Sequence, residues 1–177
     1  VEVLTRFRQL LLDNIDSISH TVALESGKMI AEGKAGVLKG LEVCDYAISL
    51  ANIDAGGAVE VSRGVKCEYK REPLGVVCGI APFNFPAMVP MWMYPIAIAI
   101  GNSFILKPSE KVPLTSQLMG KYFKEAGLPA GVFSILNGGK DVVNALIENP
   151  DVQAVGFVGS TPVAKAVYQK ATQLGKR

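Results

Sequence analysis

From Leu74 onward the chain alternates short apolar runs with helical stretches, a rhythm that narrows the possible architectures more than any other feature. The runs at 74–80, 103–107, 132–136 and 154–158 read as buried strands. Helices centred on 87–100, 114–126, 139–148 and 161–173 separate and follow them. Gly127 followed by Pro129 closes the second of these, because glycine accepts the left-handed cap and proline cannot continue a helix. Repeated alternation of this kind predicts an α/β fold with a parallel sheet and right-handed crossovers. In an open sheet of that type, ligands bind past the carboxyl ends of the strands. Two polar clusters fall there. Ala81-Pro82-Phe83-Asn84-Phe85-Pro86 follows the run Val76-Val77-Cys78-Gly79-Ile80, and Lys107-Pro108-Ser109-Glu110 follows Ser103-Phe104-Ile105-Leu106.

The first third of the chain reads as helical. Leu4, Phe7, Leu11, Ile15, Ile18 and Val22 recur at steps of three and four, which predicts one amphipathic helix broken by Ser26-Gly27-Lys28. A second helix is expected from about Lys28 to Ala51, with Ala31, Ala35, Leu38, Leu41, Tyr46 and Leu50 facing inward and Asp54-Ala55-Gly56-Gly57 ending it. Val59 to Val61 and Val65 to Tyr69, joined by Ser62-Arg63-Gly64, predict a hairpin with its charges on one side.

Composition excludes several classes. With 49% hydrophobic and 19% charged residues, the 177-residue chain suits one domain or about one and a half with a large buried fraction, and argues against disorder. A net charge of +2 without a polybasic block argues against a nucleic-acid or membrane-surface protein. The apolar run from Met88 to Ile100 is interrupted by Pro90 and Pro95 and is too short to span a bilayer. Cys44, Cys67 and Cys78 show no CxxC spacing, so they fit reduced thiols of an intracellular protein better than a disulfide framework or a metal site. No secretory or transit signal is recognisable. The chain starts at Val1, which leaves room for a native N-terminus and targeting peptide that precede it.

The candidate site residues each carry two readings. An ammonium and a carboxylate at Lys107 and Glu110, with direction set by Pro108, can hydrogen-bond the adjacent hydroxyls of a ribose; a solvated loop ion pair is the plainer alternative. Gly159-Ser160-Thr161, between a strand and a helix, can seat a phosphate on free N–H groups, or simply cap the helix. The common GxGxxG fingerprint is absent, and Gly138-Gly139 is a weaker candidate for backbone contact. Asn84 can donate to a developing oxyanion, or serve as an ordinary turn residue. His20 reads as solvated or structural and Cys78 as a small buried hydrophobe. Met91, Trp92 and Met93 fit core or ligand-facing packing equally.

The motifs G-I-A-P-F-N-F-P, P-M-W-M-Y-P, G-N-S-F-I-L-K-P-S-E and F-V-G-S resemble those of the aldehyde dehydrogenase superfamily. The stretch from about Glu25 to Arg177 is most similar to its CoA-acylating methylmalonate/malonate semialdehyde branch; most hydrolytic relatives carry Trp at the position of Phe83. The resemblance implies N-terminal helices (1–56), an oligomerisation hairpin (57–72) and a Rossmann-like NAD-binding fold (73–177), truncated before the catalytic domain. It implies that Asn84 is the oxyanion donor, that Lys107 and Glu110 hold the adenosine ribose, and that Ser160 holds the pyrophosphate. Ala81 and Phe83 would line the cofactor path, Lys111 would reach the cofactor, and Lys39 would stand where this branch has an arginine for the substrate carboxylate. Lys lacks the bidentate fork of Arg, so carboxylate specificity would change. Ala164 replaces a frequent glycine after G-S-x-x.

The implied whole protein is an NAD-dependent enzyme that oxidises a small semialdehyde and passes the acyl group to CoA. It would be a homo-oligomer in the cytoplasm, or in the mitochondrial matrix of a eukaryote, with no nucleic-acid or membrane partner and no metal. The family's catalytic cysteine and general-base glutamate would lie beyond the end of this chain. A hydrolytic aldehyde dehydrogenase, a split-enzyme subunit and a non-catalytic nucleotide-binding or assembly module remain alternatives.

Overall fold

The computed structural model describes residues 1–53 and 56–177; Asp54 and Ala55, half of the expected end of the second helix, lie outside the described residues. Strands β1 (Gly56–Ser62) and β2 (Val65–Lys70) form an antiparallel hairpin. Strands β3 (Val76–Ile80), β4 (Ser103–Lys107), β5 (Phe133–Ile135) and β6 (Val152–Phe157) form one parallel sheet in the order β5-β4-β3-β6. The chain moves outward from β3 through β4 to β5, then returns to the other side of β3 as β6. The strand order therefore reverses at β3, which creates a crevice at the carboxyl ends of β3 and β6. Register brings those ends level. Ile80 lies opposite Lys107 on one side and Phe157 on the other.

Eight helices are described: α1 (Glu2–Asp13), α2 (Ile15–Ser26), α3 (Ile30–Ser49), α4 (Met88–Met91), α5 (Tyr94–Ala99), α6 (Pro113–Glu125), α7 (Lys140–Glu148) and α8 (Thr161–Gln173). One face of the sheet, through Val77, Phe104 and Leu106, packs into the main core with residues of α1 to α6. There Phe7 stacks on Phe123 with ring centroids 3.7 Å apart, and Tyr94 meets both rings edge-on. The other face packs through Cys78 and Val152 on Leu146 of α7, while Ile147 of α7 meets Val167 and Ala171 of α8. The result is the expected α/β sandwich of helices on both faces of a parallel sheet.

The strands match the sequence reading closely, but three helical expectations need correction. The single N-terminal helix is two. Asn14 adopts φ −108°, ψ 17°, and its side-chain amide donates to Leu10 O at 2.8 Å, competing with the backbone for the same acceptor. The apolar stripe survives the break, since Leu4, Phe7, Leu11, Ile15, Ile18 and Val22 are all buried.

The inward face of α3 differs more. Gly33, Val37, Gly40, Leu41, Cys44 and Ala47 are buried, whereas Ala31, Ala35, Leu38 and Tyr46 are exposed and Leu50 falls in a terminal 3₁₀ turn (Leu50–Asn52). Close approach decides this face: a Cβ at Gly40 would collide with Met91 Sδ, and one at Gly33 with Ser19 O at 2.9 Å. Finally, the helix expected at 87–100 is two short ones, because Pro95 has no N–H to continue the ladder and sits in the first turn of α5 instead. Met91 is thereby core, Met93 packs against Gly79 and Gly156 of the sheet, and Trp92 is exposed.

Among the described residues no helix is long and apolar enough to cross a membrane.

Candidate functional site

Strand β4 ends on Lys107, and Pro108 turns the chain away from the sheet. Ser109 is buried and ties the turn back on itself: its carbonyl accepts from Val112 N at 3.1 Å and its Oγ from Lys111 N at 3.3 Å. Within this loop Lys107 Nζ lies 3.2 Å from Glu110 Oε2. The lysine is almost wholly buried, while the glutamate reaches the surface. Its own backbone N–H, and then Lys107, hold the Glu110 carboxyl below the usual carboxylate range. An ammonium has three donors, so Lys107 keeps hydrogen-bonding capacity beyond this pair.

Both side chains open onto a cleft of about 580 Å³ between the sheet edge, α7 and α8. Its walls are apolar, with Ile80, Val143, Ile147, Phe157 and Val167, and Gly139, Lys140, Asn144 and Lys170 stand among them as the backbone and polar groups. A mostly apolar cavity with a few placed polar groups is the usual form of a small-molecule site. One end of it reaches Pro162 and Val163 in the first turn of α8. Ser160 precedes that turn in an extended conformation, and its hydroxyl makes no capping hydrogen bond. Pro162 has no N–H, so Thr161 and Val163 present the free backbone donors of a 13-residue helix, where an anion is favoured.

The loop after β3 lies beside this one. Ala81 is buried and its N–H donates to Lys107 O at 3.1 Å, which locks the two strand ends together. Phe83 and Asn84 are exposed, and the Asn84 amide has no hydrogen-bond partner among the described residues. Lys111 turns toward this loop rather than into the cleft, with Nζ 5.0 Å from the Phe83 ring centroid.

Lys107, Glu110, Ala81 and the start of α8 thus converge on one sheet edge, with Phe83, Asn84 and Lys111 on its flank. Lys39 does not join them. It sits on the exposed side of α3 with Nζ 2.9 Å from both carboxylate oxygens of Glu42. Gly139 does reach the cleft, and His20 is exposed.

Sequence reading missed Lys140, Asn144 and Lys170. Their signal was present as a four-residue step on α7, Lys140, Asn144 and Glu148, the last two of which bind Lys170 of α8. The three cysteines are free thiols. Burial raises the thiol pKa of Cys44 to about 12 and that of Cys78 to about 11, which suppresses the thiolate. Cys67 is exposed on β2, away from the cleft.

Comparison with known proteins matches the whole chain, residues 1–177, to the model of the aldehyde dehydrogenase family. A malonate-semialdehyde dehydrogenase of Bacillus pumilus is 46% identical over 176 residues, which cover 99% of this chain and 36% of that protein. Among solved structures, a protein assigned as a methylmalonate-semialdehyde dehydrogenase of Sinorhizobium meliloti, complexed with NAD, superposes with a TM-score of 0.97 at 44% identity. A methylmalonate-semialdehyde dehydrogenase of Oceanimonas doudoroffii also gives 0.97, at 41% identity. Each superposition covers 99% of this chain and 36% of the other. The chain therefore spans about a third of the length of these relatives.

Proposed function

The chain belongs to the aldehyde dehydrogenase family, and from that premise we propose that it forms the cofactor side of an NAD-dependent, CoA-acylating semialdehyde dehydrogenase acting on malonate or methylmalonate semialdehyde. The observation that carries this reading is the buried Lys107 paired with Glu110 at a strand end, opening into an apolar cleft that leads to a helix N-terminus.

These residues fit a dinucleotide. Lys107 has spare donors and Glu110 spare acceptor sites for two vicinal ribose hydroxyls, and the cleft walls offer apolar surface for a base. Thr161 N–H, Val163 N–H and the Ser160 hydroxyl would hold the pyrophosphate. Ala81 and Phe83 would line the path between the two loops, with Lys111 beside Phe83. The nicotinamide, when bound, supplies the hydride acceptor. Glu110 favours NAD over NADP, because a 2′-phosphate would stand against a carboxylate held ionised.

Asn84 would donate its amide N–H to the oxyanion that forms when a thiolate adds to the aldehyde. Neither Cys44 nor Cys78 is available as that thiolate, and Cys67 is remote, so these 177 residues supply the oxyanion donor but no nucleophile. CoA would accept the acyl group. Lys39 remains a proposed carboxylate contact only if its Glu42 pairing is exchanged for substrate. The exposed hairpin would pair with another copy in a homo-oligomer, and the free thiols suit a reducing compartment such as cytoplasm or mitochondrial matrix.

Calorimetric titration of NAD and NADP into the chain and its Glu110→Ala variant tests the reading. NAD should bind wild type more tightly than NADP, and the variant should lose that preference. Equal binding of both by wild type would remove Glu110 from the assigned role.

A further inference from the structure

Helix α6 starts three residues after Glu110, so whatever fixes its first turn also fixes the end of the Lys107–Glu110 loop. Its own N-cap cannot do this. Val112 is a buried apolar residue, and Pro113 carries no N–H. The cap comes instead from the end of α2, some ninety positions earlier. Glu25 Oε2 accepts from Leu114 N–H at 2.7 Å, and Oε1 accepts from Thr115 N–H at 3.0 Å and from the Thr115 hydroxyl. Leu114 and Thr115 are the second and third residues of α6, the positions that an N-cap side chain normally serves. A carboxylate there also meets the positive end of the helix.

Three residues on, the same turn grips the other loop. Lys28 Nζ sits 3.4 Å from the centroid of the Phe85 ring, and Phe85 directly follows Asn84. The turn between them is sharp and well defined. Gly27 is left-handed at φ 71°, its N–H donates to Ala23 O at 2.9 Å, and Ser26 Oγ donates to Val22 O at 2.6 Å. Glu25 and Lys28 therefore leave one rigid turn and reach two separate loops at the carboxyl edge of the sheet.

We propose that the Glu25–Lys28 turn is a brace that positions both site loops, Glu25 setting the loop of Lys107 and Glu110, and Lys28 setting the loop of Asn84. Neither residue borders the cleft, so both are positioning residues. What the braced loops do rests on the cofactor reading above; what braces them rests on these contacts alone. Without the Glu25 cap, the order it confers on the loop must be supplied by the bound nucleotide, which reads as about tenfold weaker NAD binding. Without the cation over Phe85, the 82–86 loop loosens while the Lys107 loop stays in place.

Hydrogen exchange read by mass spectrometry tests this on wild type, Glu25→Ala, Glu25→Gln, Lys28→Met and Lys28→Arg, each well below its own Tm. Glu25→Ala should speed exchange over 107–116 and leave 140–148 unchanged, with Glu25→Gln intermediate because it keeps one acceptor oxygen. Lys28→Met should speed exchange over 82–89, and Lys28→Arg should restore it by returning a cation to the ring. NAD titration of the same set should show the affinity loss in Glu25→Ala. Exchange that is unchanged at both loops, or raised uniformly along the chain in step with a lower Tm, would overturn the brace. Local loosening in the variants of a wild type that binds no NAD would overturn the cofactor reading and leave the brace standing.

Discussion

Lys107 Nζ and Glu110 Oε2 stand 3.2 Å apart across a steep gradient of exposure, the lysine side chain 6% exposed and the glutamate 57%. The two partners are therefore unequal when one is removed. Glu110→Gln leaves a buried ammonium without its counter-charge, at a cost of about 1–3 kcal/mol. Lys107→Met fills nearly the same volume with apolar atoms, leaves Glu110 solvated, and should cost less than about 1.5 kcal/mol. Urea unfolding of the two variants should rank Lys107→Met as the better tolerated, although nucleotide titration should show both to be impaired. The reverse ranking would mean that the pair is not organised by the burial of its lysine.

The pH dependence of that pair has a defined sign. The folded Glu110 carboxyl lies below its ordinary value, so its contribution is fully present above the ordinary glutamate range near about 4.3 and is lost as pH falls through the folded value. The stability difference between wild type and Glu110→Gln should hold level from pH 8 to pH 5, as read by thermal unfolding, and vanish only in stronger acid. A difference that already fades between pH 7 and pH 6 would point to another group.

The cysteines should separate by burial. At pH 8 a thiol reagent should label Cys67 promptly on the native chain, while Cys44 and Cys78, with pKa values of about 12 and about 11, should react only on unfolding. Because Cys44 and Cys78 are buried and Cys67 lies outside the cleft, the chain supplied with NAD, CoA and malonate or methylmalonate semialdehyde should form no NADH beyond a heat-treated control. Sustained NADH formation would assign a nucleophile to this chain.

How much of this was legible in the sequence follows from how local each signal is. Strand β4 was read to the residue at 103–107 because an apolar run stops on a charged residue and a proline, and the Lys107–Glu110 pairing needed only the four residues that follow. Of the expected inward face of α3 only Leu41 holds; the rest was not legible, because glycines facing Met91 and Ser19 carry no hydrophobic signal and the larger Leu38 and Tyr46 point outward. The break at Asn14 was hidden by an apolar stripe that continues across it. Glu25 and Lys28 read as a helix end and no more. Their partners, Thr115 and Phe85, are adjacent only after the sheet has brought the two loops together.

The hairpin makes the last prediction. Residues 58–70 are all exposed, and the pairing register sorts them by face. Gly57 opposite Tyr69 and Val59 opposite Cys67 lie on one face, whereas Ala58 opposite Glu68 and Glu60 opposite Lys66 lie on the other. A two-stranded ribbon with one apolar face and two open edges is marginal alone and is stabilised by pairing. At roughly 25 cal/mol per Å² of apolar surface, covering the Val59 and Tyr69 face favours association. Light scattering over a concentration series should therefore show association of the chain, and Val59→Lys with Tyr69→Lys should shift it toward monomer and remove the concentration dependence of Tm that pairing confers. A monodisperse mass near 18.8 kDa at every concentration for the unaltered chain would remove the hairpin as an association surface.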